Sequence, residues 1–214
     1  MKLFKISCYS LGAILAITLV VHIFSKKSDL PIIYCASSYP EYSLEELVST
    51  SENIVIGVVE LVGDTIMEKM EVSTSLDPSE VDDTIYYPMT PVTVRIEDTL
   101  KGTESKEIIY YEEGGITDTY IQLPTGYKMT EGIEVILFLN QDGYGWGNQS
   151  IYPIVDNQVL LQESDYDMIP AKERDTMFTK TFKEQYDIEM YNEEDSVSTI
   201  NLNQFKNIVN SYIK

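Results

Sequence analysis

A first candidate site is the densest group of carboxylates within the acidic stretch between residues 63 and 88. It is formed by Asp77, Glu80, Asp82 and Asp83. Carboxylates are the hard ligands that Ca²⁺ prefers, but this group lacks the ligand spacing of a helix–loop–helix calcium site. A solvated acidic loop is therefore the favoured interpretation, and calcium at these four residues is the competing hypothesis. We expect no other cofactor.

A second candidate site is the glycine-rich loop at residues 142–148, which contains Tyr144 and Trp146, each bracketed by glycines. Aromatic rings presented by a loop can stack on a sugar or a peptide. Alternatively, Trp146 folds down and covers one end of the domain. Both interpretations remain open, and the ligand-binding hypothesis rests on Tyr144 and Trp146.

Histidine chemistry is excluded from most of the chain, because the single histidine, His22, lies in an N-terminal apolar segment. A Ser-His-Asp site, a Cys-His site and a zinc site with histidine ligands all need this residue type. No glycine-rich phosphate loop followed by lysine is present. A carboxylate pair or a Ser-Lys dyad can be imagined among so many charged residues, but no spacing in the sequence points to either one. We therefore expect a protein that is not an enzyme.

The charge is strongly lopsided, with 35 acidic against 15 basic residues and a net charge of −20. Four of the lysines, and no acid, lie in the first 27 residues. The remaining chain should repel phosphate backbones, which argues against nucleic-acid binding. Its acidity suits solubility, a divalent cation or a basic partner.

Residues 6–24 carry no formal charge, and as a helix they would span about 29 Å, close to the thickness of a hydrocarbon core. A cleaved signal peptide is the alternative, but it has a shorter apolar run and a small-x-small cleavage site, which Tyr34-Cys35-Ala36 does not match. We expect residues 1–27 to form an uncleaved membrane anchor. A short basic N-terminus favours a single-pass protein with its C-terminal domain extracytoplasmic. Lysines on both sides make this orientation weakly determined.

The rest divides into a spacer at 28–42 and one domain at 43–214. Ser43 and Glu46 have the spacing of a capping box, which predicts a short helix at 44–50. Residues 53–62 are rich in β-branched residues and predict a buried strand with a bulge at Gly57. Residues 63–88 are acidic and irregular and predict a long loop, within which a ragged hairpin is the minor possibility.

Further strands follow from alternating or continuous apolar residues and from turn signals between them. They are predicted at 90–98, 107–112, 120–123, 133–140, 151–155 and 158–161, and Asp156-Asn157 predicts a two-residue hairpin between the last two. Beyond residue 161 the chain has a more helical and polar character. Its last segment places Leu202, Phe205 and Val209 on one face of a helix. The predicted class is mainly β with flanking helices (α+β).

The order from Ser51 to Leu161 resembles the netrin-type module of the tissue inhibitors of metalloproteinases. The resemblance is carried by the strand at 54–59, by residues 92–102 ending in Lys101-Gly102, and by the hydrophobic strand at 135–139. It is shared with small bacterial envelope proteins of unknown function. The resemblance implies an OB-like five-stranded barrel behind the transmembrane helix. The inhibitors use an N-terminal cysteine, whereas Cys35 is internal, so the inhibitory mechanism does not transfer.

These observations predict a membrane-anchored, extracytoplasmic, non-enzymatic protein of the cell envelope that binds another protein through its OB-like domain. The alternative is a binding module for a cell-wall or small polar ligand at loop 142–148. A carboxylate-based enzyme is the third hypothesis. The expected partners are the membrane and an unknown protein, with no nucleic acid.

Overall fold

The computed structural model describes residues 30–34, 39–72, 83–124, 127–166, 168–178 and 196–213. The predicted anchor at 1–27, with its apolar segment at 6–24, lies outside these residues. Within the described ranges, no helix is both long enough and apolar enough to cross a membrane.

Two helices are described, α1 (Leu44–Thr50) and α2 (Leu202–Tyr212). The strands are β1 (Ile32–Tyr34), β2 (Asn53–Val62), β3 (Ile66–Val72), β4 (Asp83–Lys101), β5 (Glu107–Glu113), β6 (Gly115–Ile116), β7 (Ile121–Leu123), β8 (Glu134–Leu139), β9 (Ile151–Val155), β10 (Gln158–Leu160), β11 (Asp175–Phe178) and β12 (Ser196–Asn201). Short 3₁₀ helices occupy Gly147–Ser150, Glu163–Asp165 and Ala171–Glu173. The predicted α+β class, mainly β with flanking helices, is confirmed.

The main sheet has the strand order β11-β12-β10-β9-β8-β2-β4-β3. Strand β5 also pairs with β4, on the edge of β4 that lies opposite β2. A smaller sheet has the order β1-β7-β6. No pairing between described residues closes the main sheet, so the five-stranded barrel of the sequence analysis is not closed.

Two apolar clusters lie on opposite faces of the central strands. Val55 of β2 and Leu137 of β8 belong to the first cluster, together with Val92 of β4. Ile54 and Phe138, the neighbours of Val55 and Leu137, belong to the second. Successive side chains of a strand point to opposite faces, so β2 and β8 need apolar residues at nearly every position. Helices α1 and α2 pack on the second cluster.

The sequence signals around α1 and β2 are confirmed. Ser43 and Glu46 form the predicted capping box at the start of α1. The pairing of β2 with β4 shifts register between Ile56 and Gly57. A Cβ atom on Gly57 would lie 2.3 Å from the carbonyl oxygen of Arg95, so only glycine allows this close approach.

The described residues of the acidic stretch at 63–88 form a two-stranded ribbon. The prediction of a long loop is wrong for them, and the hairpin that was considered within the loop is present. All of β3 pairs with Asp83–Met89, the first part of β4. We call β3 and Asp83–Met89 the ribbon. Strand β4 therefore begins much earlier than the strand predicted at 90–98, because residues such as Tyr86 and Tyr87 pair with β3. The acidic residues near them had suggested a loop.

The spacer and the C-terminal region also contain strands that were not predicted. Residues of the spacer form β1, which pairs in parallel with β7. The region after residue 161 was expected to be helical, but β11 and β12 pair there and extend the sheet. The terminal helix is confirmed as α2, with Phe205 and Val209 buried.

Candidate functional site

The loop at 142–148 is organised by Asn140, the residue that follows β8. Its side-chain oxygen accepts hydrogen bonds from the amides of Asp142 (3.0 Å) and Tyr144 (2.9 Å). Gly143 has a φ of +88°, and its carbonyl accepts from the amide of Tyr111 over 3.0 Å. A Cβ atom on Gly143 would lie 2.2 Å from the carbonyl oxygen of Ile109. Glycine therefore lets this loop lie directly against β5.

Tyr144 lies on the β5 side of the loop. Its ring stacks on Tyr111 with centroids 4.9 Å apart and planes 19° apart. Burial, and then the negative charge of Glu68, raise the pKa of the Tyr144 hydroxyl. Glu68 belongs to the ribbon, so Tyr144 belongs to the surface formed by β3, β4 and β5.

Trp146 lies on the other side of the loop, where it is partly buried against the domain, as the second interpretation of the sequence expected. It packs against the second core cluster as a partly buried side chain. Its ring also makes an edge contact with Tyr42, with centroids 6.0 Å apart. The two aromatic residues of the loop therefore line two different depressions.

Trp146 forms part of the wall of an open cleft of about 770 Å³, which we call the Trp146 cleft. Its described lining includes aromatic rings from Tyr39, Tyr42, Tyr127, Trp146 and Tyr166, and polar side chains from Glu41, Asn148, Gln149, Gln162, Glu163 and Ser164. No lysine or arginine occurs among these described lining residues. The wall thus offers ring faces, amides and carboxylates.

The segment at 39–42 is fastened along the cleft by the side chains of Gln149 and Tyr39. The Gln149 amide group donates to the carbonyl of Pro40 over 2.8 Å and accepts from the amide of Tyr42 over 2.9 Å. Tyr39 covers Gly147, where a Cβ atom would lie 2.9 Å from the tyrosine ring. The Tyr39 hydroxyl donates to a carboxylate oxygen of Glu113. We call residues 39–42 the strap.

The opposite wall is organised by a buried carboxyl group. Asp165 accepts hydrogen bonds from the Tyr152 hydroxyl (3.0 Å) and from the amide of Gln162 (2.8 Å). Burial raises the pKa of Asp165 to about 6, because it disfavours the charged form. Gln162 in turn donates to the carbonyls of Asn148 (3.2 Å) and Ile151 (3.3 Å).

A second buried carboxyl group, Glu112, lies away from the cleft on β5. It accepts a hydrogen bond from the amide of Met129 over 2.6 Å. Burial raises the pKa of Glu112 to about 7, although this hydrogen bond and the charge of Lys128 act in the opposite direction. Sequence analysis missed Asp165 and Glu112, since among so many acids neither has a distinguishing neighbour. The only signal for Glu112 was its alternation with Ile108 and Tyr110 in the predicted strand. Alternate side chains of a strand lie on one face, so this spacing places Glu112 on the face that packs on the core.

The predicted calcium ligands fall mainly beyond the described residues. Asp77, Glu80 and Asp82 lie outside them, and Asp83 is the first residue of β4. Across the described ranges, no three His, Cys, Asp or Glu side chains form a group that could hold a metal ion. Calcium at these four positions stays a prediction.

The Trp146 cleft thus brings aromatic and polar groups together on one concave surface of about 770 Å³. Known proteins add no assignment to it. Comparison of the chain with protein-family models, curated proteins and solved structures found no match.

Proposed function

We propose that the chain is a membrane-anchored, extracytoplasmic, non-enzymatic binding protein, and that the Trp146 cleft is its ligand site. The observation that carries this proposal is the composition of the cleft wall, where aromatic rings stand beside amide side chains. Ligand sites typically combine apolar and aromatic walls with a few polar groups that fix orientation.

The chemistry of the wall favours a neutral polar ligand with a flat apolar face, as a sugar ring has. Trp146 supplies a ring face, whereas the guanidinium of Arg174 lies 4.5 Å from the centroid of the Tyr166 ring and covers one of its faces. Both N–H groups of Gln162 already donate to the carbonyls of Asn148 and Ile151, so Gln162 offers a ligand an acceptor, and Gln149 keeps one N–H donor beside its bond to Pro40. Glu41 and Glu163 give the described lining two carboxylates, against the single guanidinium of Arg174 that lies on the ring of Tyr166, and this balance disfavours anionic ligands. Cell-wall saccharides therefore fit better than phosphorylated or acidic compounds.

Trp146 fluorescence tests this proposal, because it is the only tryptophan of the chain. The titrant is a series of β-1,4-linked N-acetylglucosamine oligosaccharides, with an oligogalacturonate of similar length as the anionic control. We expect a saturable change in emission with the neutral series only. Gln162→Ala should weaken it about tenfold, the effect of losing hydrogen bonds worth about 1.4 kcal/mol.

The matched control is Tyr144→Ala, which changes the same loop on the side that stacks with Tyr111. Its affinity for the oligosaccharides should equal that of the original chain. An emission that does not change, or a response that Gln162→Ala leaves intact, contradicts a saccharide site in this cleft.

A protein partner is the second candidate function, and the ribbon favours it. Large apolar side chains are exposed on it: Ile66, Met67, Met70, Ile85 and Tyr86. Residues 66–89 also contain six acids and one lysine. An exposed ribbon of this kind suits a partner with basic and apolar groups, for which flexible methionines adapt readily.

Photo-crosslinking from position 86 tests this second candidate, with position 109 on β5, where the native isoleucine is 47% exposed, as the control. The candidate predicts crosslinks from position 86 that high salt weakens and that Met70→Thr abolishes. Crosslinks of equal yield from both positions would rule out a ribbon-specific partner.

The finer fold assignment is part of the same proposal. We propose that β5, β4, β2, β8 and β9 are an open, OB-like form of the netrin-type arrangement. Support comes from the first apolar cluster, to which all five of these strands contribute. OB folds are partly open five-stranded barrels that bind oligosaccharides and oligonucleotides on one face. A solved structure in which β5 and β9 lie on opposite ends of a flat sheet would contradict this assignment.

A further inference from the structure

The smaller sheet, β1-β7-β6, has an apolar outer face. The pairing register sets Ile32, Ile121 and Ile116 side by side, with Tyr34 next to Leu123 on the same face. Gln122, between Ile121 and Leu123, is buried, so its neighbours point outward. We call these five residues, Ile32, Tyr34, Ile116, Ile121 and Leu123, the sheet patch.

Three residues of the sheet patch are exposed and two, Ile121 and Leu123, are half-buried, and none of the five is charged. The exposed fractions are 58% for Ile32, 72% for Tyr34 and 47% for Ile116. On a chain with a net charge of −20, a contiguous apolar surface of this kind indicates an interaction site. Its neutrality also removes the repulsion that an acidic face would meet at a membrane surface.

The sheet patch is held firmly to the rest of the domain. The amide of Ile116 donates to the Thr65 hydroxyl over 2.9 Å, and that hydroxyl lies 3.3 Å from the Thr90 hydroxyl. Thr90 itself donates to the carbonyl of Gly114 over 2.8 Å. Whatever the sheet patch contacts therefore sets the orientation of the main sheet.

The position of β1 in the chain identifies the contact. Five residues, 25–29, separate Leu30 from the apolar segment that ends at Phe24. Fully extended, these residues reach only about 20 Å. If residues 6–24 cross a membrane, β1 must lie within that distance of the hydrocarbon. Tyr34 suits such a place, because tyrosine is enriched where membrane meets water.

We propose that the sheet patch lies against the lipid surface beside the anchor and fixes the orientation of the domain on the membrane. This inference rests on the proposed membrane anchoring. The occupant is the headgroup and upper acyl region of the bilayer. Isoleucine side chains enter this region, and the hydroxyl of Tyr34 stays hydrated.

Depth-dependent quenching in proteoliposomes tests the inference with the full chain. Trp146→Phe removes the native fluorophore, and Tyr34→Trp places a reporter in the sheet patch. The vesicles contain zwitterionic lipids brominated near the top of the acyl chains. The reporter at position 34 should shift to the blue and lose about half of its emission, since interfacial groups sit about 5–10 Å deep.

The matched control carries the same Trp146→Phe change with Tyr86→Trp on the ribbon, where the native side chain is 63% exposed. Its emission should be unaffected by bromine. Ile116→Trp provides a second reporter in the sheet patch if Tyr34→Trp prevents folding.

Flotation after an alkaline wash separates the possible failures. Chains that float while the reporters at 34, 116 and 86 are equally unquenched overturn the inference and leave anchoring intact. A blue shift at position 34 without bromine quenching shows that protein, such as a second copy, covers the sheet patch, and also overturns it. Chains that do not float overturn the anchoring and the inference together.

Discussion

The Tyr152 hydroxyl donates a hydrogen bond to Oδ1 of Asp165 over 3.0 Å, and both side chains are buried. Oδ2 of the same carboxyl group accepts from the amide of Gln162. Asp165 thus joins the second core cluster, to which Tyr152 belongs, to a residue of the Trp146 cleft. The shape of the cleft wall depends on a hydrogen bond made inside the core.

Tyr152→Phe should lower the free energy of unfolding by about 1–3 kcal/mol, because it leaves a buried carboxyl oxygen without its donor. Chemical denaturation followed by far-UV circular dichroism measures this change. Tyr86→Phe, at an exposed position, is the control and should have no effect beyond about 0.5 kcal/mol. Equal stabilities of the two variants would show that the Tyr152–Asp165 bond contributes nothing.

Stability should fall as pH rises from about 4.5 to about 7, because the pKa of Glu112 rises from 4.5 to about 7 on folding. A carboxyl group with a raised pKa stabilises the folded state while it is protonated, and this contribution disappears as pH passes through the folded value. The span corresponds to an upper limit of about 3–4 kcal/mol. Denaturant titrations across this range measure it.

Glu112→Gln is the matched variant for the pH dependence. It keeps an oxygen for the amide of Met129 and cannot ionise, so it should unfold at higher denaturant than the original chain at pH 8. The pKa of Asp165 is also raised, to about 6, so part of the pH dependence should persist in this variant. A variant that is less stable than the original chain at pH 8 argues against burial of a costly charge.

Leu137→Ala should destabilise the domain by about 2–5 kcal/mol, because it removes a fully buried side chain from the middle of β8. Thermal melting followed by circular dichroism measures this loss. Leu61→Ala is the control, since Leu61 lies at the end of β2 with 53% of its side chain exposed. A melting temperature that Leu137→Ala does not change would overturn the assignment of the core.

Gln149→Ala should release the strap, because it removes both hydrogen bonds that hold Pro40 and Tyr42. We expect faster amide hydrogen exchange at residues 39–42, by about tenfold for a loss of about 1.4 kcal/mol. The sheet amides should exchange as before. Gln158→Ala, a change of the same kind on β10, serves as the control. Protection of the strap that survives Gln149→Ala would mean that its aromatic contacts suffice.

Much of the fold follows from local signals that tertiary contacts did not override. The Ser43–Glu46 capping box fixes the start of α1. The pair Asp156-Asn157 takes positive φ values of 49° and 63°, as a two-residue hairpin with a right-handed twist requires. In both places a few adjacent residues determine the conformation, so the sequence alone was sufficient.

The missed elements depend on partners that are distant in the chain. The three residues of β1 become a strand because β7, far along the sequence, offers its edge. The acidic residues of the ribbon suggested a loop, yet β3 pairs with β4 over its whole length. The residues of the cleft were partly foreseen through Trp146. The contributions of Gln149, Gln162 and Asp165 required the fold, because their roles come from contacts across loops.

Membrane topology tests the central claim most directly. In a chain with Cys8→Ser and Cys35→Ser, Tyr86→Cys places a single thiol on the exposed ribbon. A membrane-impermeant maleimide is added to intact cells or to lysed cells. The account predicts labelling of position 86 in intact cells, in a chain that stays with the membrane after an alkaline wash. Labelling only after lysis, or loss of the chain from the membrane, would contradict a membrane-anchored extracytoplasmic binding protein.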